Sequence, residues 1–394
     1  MNARVIELDG SALRLADLRD TSASEFALAD NARQRMDTAV ETLHRIIDDG
    51  AVCYGVNTGF GAFANRLIPA ADIEQLQYNL VRSHACGLGR PLAAETVRRA
   101  IVLKANALAA GHSGARPLLA DTLLKFVELD VIPVIPSRGS VAASGDLAPL
   151  AHLALAMIGE GEATQRGRQL QGSAVLDAAG AEVVQLQAKE GLAMINGTQV
   201  STALALDAFY AGEILLRASV LIGALSVEAL AGSFVPFDAR IHAASRLAAQ
   251  QQVAEAFCQL LSQSQINASH EDCDRVQDPY SLRCMPQLFG ATWHTLQHAR
   301  DVLAAAINAV TDNPLIFDDD VLSGGNFHAA PIGFVSDFLA IAVAELGSIA
   351  ERRIDLMERR VNPNLNMFLT SEPGLESGYM IAHVTATALA SENK

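Results

Sequence analysis

Long Ala- and Leu-rich stretches that carry almost no charge on one face constrain this chain most. Helical periodicity runs through residues 198–231, 284–310, 331–359 and 376–393. A helix that is apolar around most of its circumference must be covered on most sides, which calls for a bundle core and, beyond it, an oligomer. Shorter helices are predicted near 92–111, 116–129 and 146–159. Met36, Val40, Leu43 and Ile47 follow the i, i+4, i+7, i+11 spacing of another, with Gly50 as its C-cap. Strand signals are few: Arg4 to Leu8, Val131 to Ile135, and a hairpin from Gln169 to Gln187. The predicted fold is mainly α, a long-helix bundle core (201–394) with a smaller N-terminal lobe (1–200).

Composition narrows the class. Half of the 394 residues are hydrophobic and 19% are charged, enough apolar material to bury a large core. The formal charge of −15 argues against nucleic acid or an anionic membrane as partner. Cys53, Cys86, Cys258, Cys273 and Cys284 are odd in number, scattered and without CxxC spacing, which fits free thiols in a reducing cytoplasm. The N-terminus, MNARVIELDG, has no apolar signal-peptide core. The most apolar stretch, Ala203 to Phe234, is interrupted by Asp207, Glu213, Arg217 and Glu228, so a buried soluble helix is expected rather than a membrane span.

Four glycine-rich breaks separate the helices: 55–63 (GVNTGFGAF), 137–146 (SRGSVAASGD), 194–199 (MINGTQ) and 323–328 (SGGNFH). Such loops on an apolar helical frame are candidate site loops. In the second, Ala143-Ser144-Gly145 has minimal bulk, and Asp146 is placed to cap the helix that follows, with Pro149 in its first turn. In a tight bend the Gly145 nitrogen can attack the Ala143 carbonyl, and Ser144 can lose water, giving a methylidene-imidazolone ring. A bare tripeptide of this kind is also an ordinary capping loop. The glycines at 55, 59 and 61 do not make a phosphate loop, since no Lys-Ser/Thr follows them. His270, Glu271, Asp272, Cys273 and Asp274 have metal-ligand chemistry but are consecutive, so a solvated acidic turn is expected and no metal site.

Taken together, GSVAASGDLAPLAH (139–152), YGVNTGFGAF, NLVRSHACGLG (79–89), QDPYSLRCMPQ (277–287), SGGNFHAAPIGF (323–334) and SGYMIAHVTATALASENK (377–394) resemble the histidine and aromatic amino-acid ammonia-lyases in the same order. The resemblance covers the chain after about residue 30. It implies an electrophile, 4-methylidene-imidazol-5-one, formed autocatalytically from Ala143, Ser144 and Gly145, with no external cofactor. It implies Tyr54 as the base that removes the substrate β-proton, Tyr280 in support near the ring, Arg283 as carboxylate anchor, Asn196 and Gln277 as amides lining ring and substrate, and Phe327 beside the ring. If their segment is helical, Gln277, Tyr280 and Arg283 share a face. The Ser83-His84 pair resembles the histidine enzymes, and an imidazole at His84 can exchange a hydrogen bond with a substrate imidazole. The implied activity is elimination of ammonia from L-histidine to give trans-urocanate, in a homotetramer whose sites are shared between subunits.

The chain departs from the family pattern at Met285 and His383, where glutamine is usual, and family members continue well beyond Lys394 with a further acidic pocket residue. A cut or shortened chain is the resulting expectation. Two rival readings stand beside the histidine enzyme: a phenylalanine or tyrosine ammonia-lyase or aminomutase, and an inactive helical scaffold of the same fold.

Overall fold

The computed structural model describes residues 4–269, 275–359 and 362–394. The acidic run 270–274, with Cys273, lies outside the described residues. Two compact units emerge, one of residues 1–207 with 301–333, the other of 208–300 with 334–394.

The first unit holds all the strands found among the described residues. β1 (Arg4–Leu8) pairs in parallel with β2 (Ser24–Leu28). β3 (Leu88–Pro91) pairs with β5 (Pro136–Arg138), and β4 (Ile132–Pro133) with the hairpin of β6 (Glu162–Gln165) and β7 (Arg168–Gln171); β8 (Leu315–Phe317) pairs with β9 (Asp320–Leu322). The helices here are α1 (Asp30–Asp48), α2 (Ile73–His84), α3 (Ala94–Ala109), α4 (Pro117–Glu128), α5 (Leu147–Met157), α6 (Ser173–Ala178) and α7 (Glu190–Ile195). α8 (Gln199–Ala229) begins in this unit. The second unit carries α9 (Ala239–Ser245), α10 (Ala248–Leu261), α11 (Gln265–Ala268), α12 (Tyr280–Arg283) and most of α13 (Met285–Ala306) and α14 (Ala330–Glu358), then α15 (Met380–Glu392).

The mainly helical expectation holds, and each long helix falls within a few residues of its sequence pattern. Gly50 follows α1 with φ +79°, its N–H on the Ile47 carbonyl, the left-handed C-cap that the pattern called for. The expected hairpin over 169–187 is corrected. The turn comes earlier, at Arg166-Gly167, where both residues have positive φ, the backbone that a two-residue hairpin turn needs. Chain 173–178 is then helical. Residues 301–333, placed by sequence in the second lobe, are gathered into the first unit because their polar groups are satisfied there. Ile316 exchanges bonds with His112, and Asp312 pairs with the buried Lys189 at 2.5 Å.

A small core of Ala39 and Leu43 from α1, Cys53, Val56 and Ile316 clamps the start of the 54–63 loop from both sides of Tyr54. The expectation of a buried helix over 203–234 is also corrected. The stretches Glu190–Ala229 and Ala330–Glu358 are each long and apolar enough to cross a membrane, and only 39% and 28% of their most apolar windows are buried within the chain. Leu204, Ile214, Leu221, Ile222 and Leu225 of α8 are exposed, as are Phe334, Phe338 and Ile341 of α14.

In the second unit α15 buries none of its residues and is tied to α14 by polar anchors. His383 Nε2 and Thr387 Oγ1 both reach Glu351 Oε1, at 2.9 Å each. The Arg352 guanidinium, with these two donors, holds the Glu351 carboxyl down to about 2, against an ordinary 4.5. A depressed carboxylate adds stability that is complete above its unfolded value and is lost as pH falls through the folded one. Glu351→Gln should therefore lower hydrogen-exchange protection of 380–392 at neutral pH. Wild-type protein should approach the variant only as pH drops from about 4.5 towards about 2. Equal protection at neutral pH would contradict this anchoring.

Candidate active site

All four glycine-rich loops meet at one cavity of about 500 Å³ in the first unit, lined by Tyr54, His84, Ser144, Asn196, Asn313 and Phe327 among others. Each side chain arrives by a separate local device.

Tyr54 stands in a turn held by Gly55, whose φ is +68° and whose missing Cβ would lie 2.5 Å from Leu192 Cδ2. Gln77, fully buried in α2, spans the gap. Its Nε2 reaches the Gly55 carbonyl at 3.4 Å, and its Oε1 accepts the Leu192 N–H at 3.1 Å. The Gly61 N–H donates to Tyr54 Oη at 3.2 Å.

His84 is the last residue of α2. Its Nδ1 lies 2.8 Å from the Leu80 carbonyl, which can only accept. A hydrogen bond to that carbonyl places the proton of a neutral ring on Nδ1 and leaves Nε2 as the acceptor. The chain beyond is fixed by Gly87, whose N–H donates to His152 Nε2 at 3.1 Å, and by the β3–β5 ladder pairing Leu88 with Arg138. Burial pushes the His152 imidazole below its ordinary pKa, consistent with an accepting neutral ring. The same ladder delivers the chain into the 140–146 loop.

Ala143 and Ser144 are exposed on that loop and Gly145 is buried. Asp146 occupies the N-cap position of α5, but its side chain does not cap that helix, contrary to expectation. It caps α8 instead: the Ser201 N–H and Oγ donate to the carboxylate at 2.7 and 2.6 Å, and Ser140 Oγ at 3.0 Å. Burial pushes the Asp146 carboxyl up, against the pull of these donors. Its own N–H donates to the Gly197 carbonyl at 2.7 Å. Gly145 has φ +79°, and a Cβ there would lie 2.8 Å from both N and O of Gly197, so only glycine fits.

Asn196 is buried beside this loop. Its Nδ2 donates to the Asn313 carbonyl at 3.4 Å, and its Oδ1 has no hydrogen-bond partner. Phe327 is brought in by the Ala329 N–H, which donates to the Ala142 carbonyl at 3.0 Å. A positive-φ glycine with no room for a side chain, an exposed serine before it and an unpaired buried acceptor beside it suit a ring closed from residues 143–145.

Gln277, Tyr280 and Arg283 do not line this cavity. They belong to the second unit, where Gln277 and Arg283 line a larger cavity of about 820 Å³ and Tyr280 lines another. α12 starts only at Tyr280, after Pro279 at its N-cap, so Gln277 is outside the helix and the shared face reduces to Tyr280 and Arg283. Those two do meet, with the guanidinium 4.5 Å from the Tyr280 ring centre. Arg283 Nε also donates to the Asp278 carbonyl, at 3.0 Å. Gln77, Asn313 and the buried lysines 104 and 189 escaped the sequence reading. Lys104 had left one signal, a lone charge inside the apolar run IVLKANALAA.

These loops and helices define the class. The aromatic amino acid lyase family model matches residues 13–394, and the chain belongs to that family. It is 52% identical to a histidine ammonia-lyase of Burkholderia multivorans over 362 residues, 91% of this chain and 72% of the relative. Its fold superposes on a histidine ammonia-lyase from Trypanosoma cruzi with a TM-score of 0.89 at 38% identity, covering 99% of this chain and 74% of that one. A phenylalanine aminomutase of Pantoea agglomerans gives a TM-score of 0.93 at 29% identity, covering 99% and 80%.

Gly145→Ala should force the 140–146 and 193–201 loops apart. A left-handed backbone conformation with a backbone clash costs an alanine about 2 kcal/mol or more, readable as a shift in denaturant midpoint. An unchanged midpoint would contradict the packing described.

Proposed function

We propose that this protein eliminates ammonia from L-histidine to give trans-urocanate, using a 4-methylidene-imidazol-5-one closed from Ala143, Ser144 and Gly145. What carries this reading is the convergence of Tyr54, His84, Ser144, Asn196 and Phe327 on one cavity. The identity to a histidine ammonia-lyase supports the substrate.

Ring closure joins the Gly145 nitrogen to the Ala143 carbonyl carbon. One water takes the Ala143 carbonyl oxygen with the amide hydrogens of Ser144 and Gly145. The second takes the Ser144 hydroxyl and its α-hydrogen, so no oxidant is needed. The group supplies an electrophilic methylidene that turns the substrate amine into a better leaving group. Tyr54, whose Oη accepts the Gly61 N–H, removes the β-proton. His84 Nε2 accepts a hydrogen bond from the substrate imidazole, because its Nδ1 is committed to Leu80. Asn196 Oδ1 is free to accept from the substrate amine.

The substrate carboxylate still needs a cation. Arg283 can hold it through two parallel bonds, with Gln277 and Tyr280 nearby, if these residues come from another copy of the chain. The exposed apolar faces of α8 and α14 support a homotetramer that shares its sites in this way. The free Cys53, Cys86, Cys258 and Cys284 suit the reducing cytoplasm.

Assayed against histidine, phenylalanine and tyrosine, the protein should release ammonia fastest from histidine. His84→Phe should lower kcat/KM for histidine roughly five- to hundredfold, the equivalent of about 1–3 kcal/mol for an unmatched buried partner. A wild-type preference for phenylalanine or tyrosine, or an unchanged kcat/KM in the variant, would overturn the substrate assignment.

A further inference from the structure

Beneath the cavity, α3 carries a charge that the proposed reaction does not use. Lys104 is fully buried in the second half of α3, residues 100–109, where it is the one charged side chain. Its Nζ donates to two main-chain carbonyl oxygens, Asn196 at 2.6 Å and Ala193 at 3.0 Å. The nearby charges are Lys189, Asp312 and Asp146. Asp312 is committed to Lys189, and Asp146 to Ser201 and Ser140, so the hydrogen bonds of Lys104 go to the neutral carbonyls at the end of α7. Desolvation is severe there, and burial pushes the ammonium down to about 8. A methionine would fill the same space without that penalty. What the lysine contributes is the main chain that it fixes.

It holds the residue whose side chain faces the tripeptide. With the Asn196 carbonyl fixed by Lys104, and Nδ2 turned to Asn313, Asn196 Oδ1 is left without a donor, 3.2 Å from where a Cβ on Gly145 would sit. The next residue, Gly197, accepts the Asp146 N–H, which pins the far side of the tripeptide to the same strand of chain. Closure requires the Gly145 amide to give up its proton while its nitrogen bonds to the Ala143 carbon. An unpaired acceptor oxygen at Gly145 can take a hydrogen bond from that proton, or from the hydroxyl formed as the nitrogen adds.

We propose that Lys104 is a positioning residue for ring closure, its ammonium fixing the Asn196 and Ala193 carbonyls so that the Asn196 carboxamide oxygen stands against Gly145. The proposal rests on the reading that residues 143–145 close to a ring.

The test uses the wild-type chain, Lys104→Gln and Lys104→Met, each purified as the folded species by gel filtration and checked by far-UV circular dichroism. Intact mass gives the fraction of folded chains that are two waters lighter, followed over time after synthesis. Loss of a charge-assisted hydrogen bond should slow closure in folded Lys104→Gln by roughly tenfold or more, with Lys104→Met slower still. Because only folded chains are counted, reduced stability alone does not mimic this result. Lys104→Gln retains a donor and is the variant to read if Lys104→Met does not fold. Folded variant closing as fast and as fully as wild type would overturn the positioning role while leaving the ring intact. Active wild type at full mass would instead overturn the ring, and this proposal with it.

Discussion

Everything at the cavity depends on how Asp146 locks two loops together. Its N–H binds the Gly197 carbonyl, and its carboxylate takes the first turn of α8 through Ser201, with Ser140 closing the other side. Chain 140–146 and chain 193–201 thus become one rigid object, with the Gly145 backbone packed on Gly197 so closely that no side chain fits. A serine held exposed in front of such a block is presented to the cavity without the block itself being open to water.

The remaining parts hang on this block through buried polar groups. Gln77 joins the Tyr54 turn to α7, Lys189 and Asp312 fix the approach to Asn313, and Arg116 pairs with the buried Glu190 at the start of α7. A buried ion pair contributes little net stability but is costly to break by halves, commonly about 3–5 kcal/mol. Such groups specify geometry more than they stabilise it, which is what a site drawn from four separate loops requires. The long helices show the opposite economy. Their outer faces remain apolar and exposed in the single chain.

How much of this was legible in the sequence follows from the range of each interaction. Helix positions were, because periodicity is local: α1, α3, α4, α5, α8, α13, α14 and α15 lie where the apolar spacing put them. The four site loops were legible as glycine-rich breaks, and the structure brings all four to one cavity. The partners of polar side chains were not. Nothing near Asp146 in sequence says that its carboxylate caps a helix starting 53 residues later rather than the one it precedes. Likewise the Lys104–Asn196 and Gln77–Leu192 bonds link residues 92 and 115 positions apart. The early hairpin was missed for a local reason, because Arg166 in a positive-φ conformation is not a usual turn signal.

The proposed closure of Ala143, Ser144 and Gly145 to a ring can be read directly from one fragment. Tryptic cleavage after Arg138 and Arg166 releases residues 139–166 as a single peptide. Tandem mass spectrometry of that peptide from mature, active protein should show the loss of two waters confined to residues 143–145. A peptide of full mass, from protein that releases ammonia from histidine, would contradict the account.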